Sequence, residues 1–164
     1  MRKSALFIID MQNKFFNDKK YADSLSSAVE YVNAAIALFR EKELPIFVIQ
    51  HKDEQEHLVE GTSDFEVAKA LNLEPRDTRV IKTYNNSFTK TGLAEKLRQL
   101  GVDTIVLAGF CAEYCVLSTY KGAQDLDLTP IILRNAIASG SAEHIRFVEE
   151  ITETITYGAL RTLL

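Results

Sequence analysis

The stretch TIVLAGFCAEYCVLSTYKGAQDLD, residues 104–127, changes character at Gly109. Up to Ala108 it is a short, unbroken apolar run. Beyond Ala112 the apolar residues Cys115, Val116, Tyr120 and Ala123 recur at three- and four-residue spacing. The first pattern is that of a strand buried on both faces, and the second is an amphipathic helix. A strand feeding straight into a helix is half of a βαβ unit.

The same alternation extends in both directions. ALFII (5–9), PIFVI (45–49), TRVI (78–81) and TPIIL (129–133) read as further strands, together with TIVLA (104–108). Helical spacing covers 24–43, 92–101, 112–127 and 141–155, with Gly101 suited to a helix C-cap and Ser139 or Ser141 to an N-cap. The expected fold is α/β: a doubly wound, Rossmann-like, mostly parallel sheet of five or six strands with helices on both faces, in the order 3-2-1-4-5-6. The tail GALRTLL (158–164) is a candidate sixth, edge strand. Residues 51–78 are the least regular and are expected to hold a loop and one short helix. No repeat or Pro/Gly-rich linker divides residues 1–164, which therefore read as a single domain.

Composition is ordinary for a globular chain, with 46% hydrophobic and 26% charged residues. A net charge of −4 with no basic stripe argues against nucleic acid and anionic membrane as partners. The apolar run after Arg2 and Lys3 ends at Asp10, too soon for a secretory signal or a membrane span. A cytoplasmic setting is expected, with reduced thiols. The two cysteines, Cys111 and Cys115, lack the spacing of a CxxC pair.

In open α/β sheets ligands bind beyond the carboxyl ends of the strands, at the point where strand order reverses. Asp10, His51, Lys82 and Cys115 each follow such an end. Cys115 in the first turn of a helix would feel the positive end of the macrodipole, which favours the nucleophilic thiolate. Asp10 can exchange the thiol proton, Lys82 can hold Asp10 ionised, and free N–H groups at the helix start can hold an oxyanion. Each residue also has a plainer reading: Cys115 as a small buried hydrophobe, Asp10 as a turn residue, Lys82 as a solvated strand-end lysine.

Three motifs, in order, resemble one family. FIIDMQNKF carries Asp10, Gln12 and Phe15; VIKTYNNSFTKTGLAEKL carries Lys82, Ser87 and Phe88; LAGFCAEYCVLSTYKGA carries Gly109, Cys115, Thr119 and Ala123. Together they resemble the isochorismatase-like cysteine hydrolases, which include nicotinamidases and N-carbamoylsarcosine amidohydrolase. The resemblance implies a catalytic triad of Asp10, Lys82 and Cys115. It also implies an oxyanion hole from the backbone N–H groups of Ala112 and Cys115, and a non-proline cis peptide placed between Cys111 and Ala112. Ala112 and Glu113 stand where the commoner motif has Thr and Asp.

The implied reaction is hydrolysis of a carbon–nitrogen bond in a small amide or carbamoyl-type metabolite through a thioester. Gln12, Phe15, His51, Tyr84, Phe88 and Tyr114 are the expected substrate-pocket residues, with Phe88 the foremost candidate for core packing instead. The alternatives are a metal-dependent nicotinamidase-type amidase, an isochorismatase-type vinyl ether hydrolase, and a non-catalytic ligand-binding protein. Nicotinamidases hold a metal with an Asp-x-His pair and a further His. Here Ile49 stands two before His51, and His57 lies six after it. No metal or other cofactor is therefore expected. The resemblance also implies a homodimer or homotetramer.

Overall fold

A computed structural model of the chain describes residues 3–164. Six parallel strands form one sheet in the order β3-β2-β1-β4-β5-β6. They are β1 (Lys3–Ile9), β2 (Ile46–His51), β3 (Thr78–Lys82), β4 (Val102–Phe110), β5 (Thr129–Ala138) and β6 (Thr154–Ile155). The helices are α1 (Asn13–Asn17), α2 (Ala22–Glu41), α3 (Leu93–Leu100), α4 (Leu117–Asp125), α5 (Ala142–Ile151) and α6 (Tyr157–Leu163), with a π-helical turn at Ala112–Val116 just before α4.

The unbroken apolar runs are explained by burial on both faces. Leu6 and Ile8 of β1 share one core with α2 and α6 through Val32, Ile36, Phe39 and Leu160. Phe7 and Ile9 share the other with α3, α4 and α5 through Leu97, Tyr120 and Val148. Gly101 ends α3 in the left-handed conformation, and Ser141 caps α5 by accepting the Glu143 N–H. No helix among the described residues is long and apolar enough to cross a membrane.

Three expectations need correction. The tail 158–164 is helical rather than a strand: Tyr157, Leu160 and Leu164 meet the core at helical spacing, and Thr156 caps the first turn. The edge strand is instead Thr154–Ile155, so the fifth helix stops at Ile151. The segment between β2 and β3 has no helix. Its backbone polar groups are satisfied instead against the β1–α1 segment, by Asn13 N–H to Glu66 O (2.8 Å), Lys14 N–H to Asp64 O (3.1 Å) and Ala68 N–H to Met11 O (3.0 Å).

Gly109 governs the close approach of β1 and β4. It sits at φ 116, paired with Ile9. A Cβ there would run into the Ile9 carbonyl oxygen and lie 2.6 Å from the Ile9 nitrogen. Because the obstacle is backbone of a central strand, it cannot step aside. Gly109→Ala is expected to cost at least about 3 kcal/mol, read by urea denaturation. A variant of wild-type midpoint would contradict the packing described here.

Candidate active site

Strand register brings the motif residues to one end of the sheet. Ile9 pairs with Ile49 and with Gly109, and His51 pairs with Lys82. Asp10 therefore leaves β1 beside the end of β4, while Lys82 lies two strands away across β2. Asp10 adopts a left-handed φ of 51, which ends the strand; its N–H is held by Ile49 O at 2.9 Å. The chain leaving β4 bends through a cis peptide and enters the π-helical turn that carries Cys115. That cis bond joins Phe110 to Cys111, not Cys111 to Ala112 as expected, because β4 runs on through Phe110 and the bend falls at its end.

The three side chains meet. Lys82 Nζ donates to Asp10 Oδ2 at 2.8 Å and to Cys115 Sγ at 3.3 Å, and it faces His51 Nδ1 at 3.1 Å. Lys82 and Asp10 are almost wholly buried, at 1% and 2% exposure, and Cys115 is 8% exposed. Asp10 Oδ1 is buried with no hydrogen-bond partner among the described residues, so one carboxylate oxygen remains open to a proton. In the π-helical turn, the N–H groups of Tyr114 and Val116 both donate to Cys111 O, at 3.1 Å each. The N–H groups of Ala112 and Cys115 donate to no acceptor outside that turn among the described residues.

A cavity of about 370 Å³, a fitting size for a small metabolite, opens onto this cluster. Asp10, Cys115, His51, Phe15 and Tyr114 line it. Gln12, Tyr84 and Phe88 do not. Gln12 is fully buried and structural: its side chain accepts the His51 N–H at 2.8 Å and donates to the carbonyls of His51 (3.0 Å) and Phe65 (2.9 Å). Tyr84 points to solvent, where Lys90 donates to its hydroxyl. Phe88 packs on Phe7 in the core, ring centroids 6.0 Å apart.

Tyr21, Asn85, Phe110, Glu113 and His144 also line the cavity. The Cys115 thiol faces Asn85 Oδ1 at 3.6 Å. The neighbouring Asn86 amide fills the space beside Gly122 that a side chain would occupy, and Ser87 bonds Thr119 at 2.8 Å. These contacts lock the loop after β3 onto α4. Across the cavity, Glu113 accepts the Cys111 thiol at 3.0 Å and meets His144 Nδ1 at 2.7 Å.

At Cys115 burial and the Asp10 carboxylate oppose the thiolate that a helix start would favour. Burial first, and the Asp10 carboxylate second, push the Cys115 pKa up to about 12, against the pull of Lys82. Burial and Glu113 push Cys111 up to about 12 as well. Cys115 also enters through a π-helical turn rather than the first turn of α4, so the macrodipole gives it less.

Both shifts have a consequence for stability. In the unfolded chain the thiols lose protons near 9.0, whereas the folded state holds them until about 12. The folded state then binds more protons than the unfolded state, so stability falls as pH rises through that window. A Cys111→Ala/Cys115→Ala double variant is expected to lose less stability than wild type between pH 9.0 and about 12, measured by urea denaturation. Parallel losses would contradict the assignment.

A divalent metal does not fit these residues. Among the described residues, the one cluster of three candidate ligands is Asp10, His51 and Cys115, whose ligand atoms lie within 4.8 Å of one another. All three face the Lys82 ammonium, so a fixed positive charge stands where an ion would be. Ile49 is buried in the core, the Asp53 carboxylate accepts the Gln55 and Glu56 N–H groups, and His57 is exposed in the turn after them.

The model of the isochorismatase domain matches residues 4–153. The uncharacterized isochorismatase family protein YrdC of Bacillus subtilis (strain 168) is 32% identical over 145 residues, 84% of this chain and 74% of its own. Nicotinamidase 3 of Arabidopsis thaliana is 27% identical over 135 residues, 73% of this chain and 65% of its own. The structure of N-carbamoylsarcosine amidase from Thermoplasma acidophilum shares the fold, with a TM-score of 0.84 at 24% identity over 94% of this chain and 96% of that one.

Proposed function

The chain belongs to the isochorismatase family, and from that premise we propose that it is a cysteine hydrolase cleaving the carbon–nitrogen bond of a small amide or carbamoyl-type metabolite. One observation carries the reading. A buried ammonium donates to both a carboxylate and a thiol, while the carboxylate's second oxygen stays unpartnered at the edge of a cavity. A buried acceptor left unpartnered costs stability, and its place beside the thiol supports a role in moving a proton.

In this reading Asp10 takes the Cys115 proton as sulfur attacks the substrate carbonyl, so no thiolate need accumulate beforehand. Lys82 stays cationic and offsets the charge appearing on sulfur. The carbonyl electron pair moves onto oxygen, which the Ala112 and Cys115 N–H groups receive. As the carbonyl re-forms, the carbon–nitrogen bond breaks and Asp10 returns its proton to the leaving nitrogen. Asp10 then takes a proton from water, whose oxygen attacks the thioester. The carbon–sulfur bond breaks, and the proton passes back to Cys115 as the acid leaves.

The supporting relatives are a nicotinamidase by name and, in fold, an amidase. A panel of small primary amides, carbamoyl compounds and vinyl ethers, assayed for ammonia and for acid products, tests the proposal. Release of ammonia from at least one amide is expected. Turnover confined to vinyl ethers would overturn it.

A further inference from the structure

The Lys82 ammonium decides which proton His51 carries. An ammonium has three N–H donors and no lone pair. The side chain of Lys82 is wholly buried, and its acceptors are Asp10 Oδ2 at 2.8 Å, Cys115 Sγ at 3.3 Å and His51 Nδ1 at 3.1 Å. Nδ1 must therefore present its lone pair, which leaves the ring proton on Nε2. Gln12 grips both the N–H and the carbonyl of His51, so the root of the ring is fixed as well. The residue lines this cavity and also a second one walled by Lys14, Asp53 and Glu56, and Nε2 has no protein hydrogen-bond partner among the described residues.

We infer that His51 is a fixed, neutral hydrogen-bond donor whose Nε2–H selects substrates carrying an acceptor beside the reacting carbonyl. The acceptor class includes a second carbonyl, a carboxylate or a ring nitrogen. A substrate with a donor or a bare alkyl group at that place leaves the half-buried N–H unpaired. Selection of a substrate rests on the hydrolase reading above; the position of the proton does not.

The surroundings favour the neutral ring. Burial first, and the Lys82 charge second, hold the imidazole below its usual 6.5. Asp10 and Asp53 pull the other way, and Lys14 adds to the lowering. At Cys115, the remaining titratable group at the ring, burial and Asp10 push the thiol pKa up to about 12. His51 therefore has neither a free lone pair to act as a base nor a second proton to act as an acid.

Two measurements test this. In protein labelled with ¹⁵N-histidine, long-range ¹⁵N–¹H correlation reads the tautomer of each ring, and His51→Asn assigns the His51 signals. The Nε2–H tautomer is expected for the neutral ring, read at about pH 8. An Nδ1–H pattern, or an imidazolium at that pH, would overturn the inference.

The second measurement is protection of Cys115 from iodoacetamide by pyruvamide, which has a carbonyl beside the amide, and by isobutyramide, which has an alkyl group there. Pyruvamide is expected to protect about three- to tenfold better in wild type. In His51→Asn the ratio should fall to near one, since Asn offers Lys82 an acceptor but the cavity no matching donor. Ratios taken within each protein cancel any general change in thiol reactivity. No preference in wild type, or one that survives in His51→Asn, overturns the inference. An absence of turnover across the whole amide panel would instead sink the hydrolase reading, and the tautomer spectrum would still decide the donor.

Discussion

Cys115→Ala is expected to lower kcat/KM for any amide the protein turns over by about 10⁴-fold or more, with the fold intact. The size follows from the division of labour. Asp10 and Lys82 converge on the sulfur and on each other, so without it they have no proton to move and no charge to offset. The residual rate would come from the backbone donors and from binding alone. Cys115 is small, and although buried it borders a cavity, so trimming it to alanine should cost little stability. Steady-state kinetics beside a urea denaturation curve separates the two effects. A variant that keeps even a tenth of wild-type turnover would remove sulfur from the reaction.

The second large effect is expected for Lys82→Met. Methionine approximates the lysine chain but strands the Asp10 carboxylate, 2% exposed, without its cation. Breaking a buried pair from one side typically costs about 3–5 kcal/mol. Replacing both members avoids the stranded charge, so Asp10→Asn/Lys82→Met is expected to recover most of the lost stability. It should recover no activity, because the amide of Asn cannot take the Cys115 proton. Stability and turnover thus part company in the double variant. Equal stability of Lys82→Met and wild type would mean that the pair is solvated, contrary to the geometry described here.

The sheet order was legible because unbroken apolar runs alternating with helical spacing leave few topologies once crossovers are right-handed. The meeting of Asp10, Lys82 and Cys115 was legible because strand ends on one face converge wherever the strand order reverses. Less regular parts were not. Gln12 sits inside a motif beside Asp10, yet its side chain satisfies three backbone groups of β2 and the following loop. Only the path of the 51–78 segment reveals that, and no local spacing encodes it. Tyr84 and Asn85 are adjacent, so which of them faces the cavity depends on how the loop seats against Gly122 and Thr119. Likewise, the thiol's protonation depends on burial and on the distance to Asp10. A helix-start argument sees neither.

The most direct test of the account is the mass of the protein quenched in acid during turnover of an amide from the panel. An adduct equal to the acyl group, located by digestion on Cys115 and absent from Cys115→Ala, is the expected result. Steady turnover with Cys115 unmodified, or with the acyl group on another residue, would contradict it.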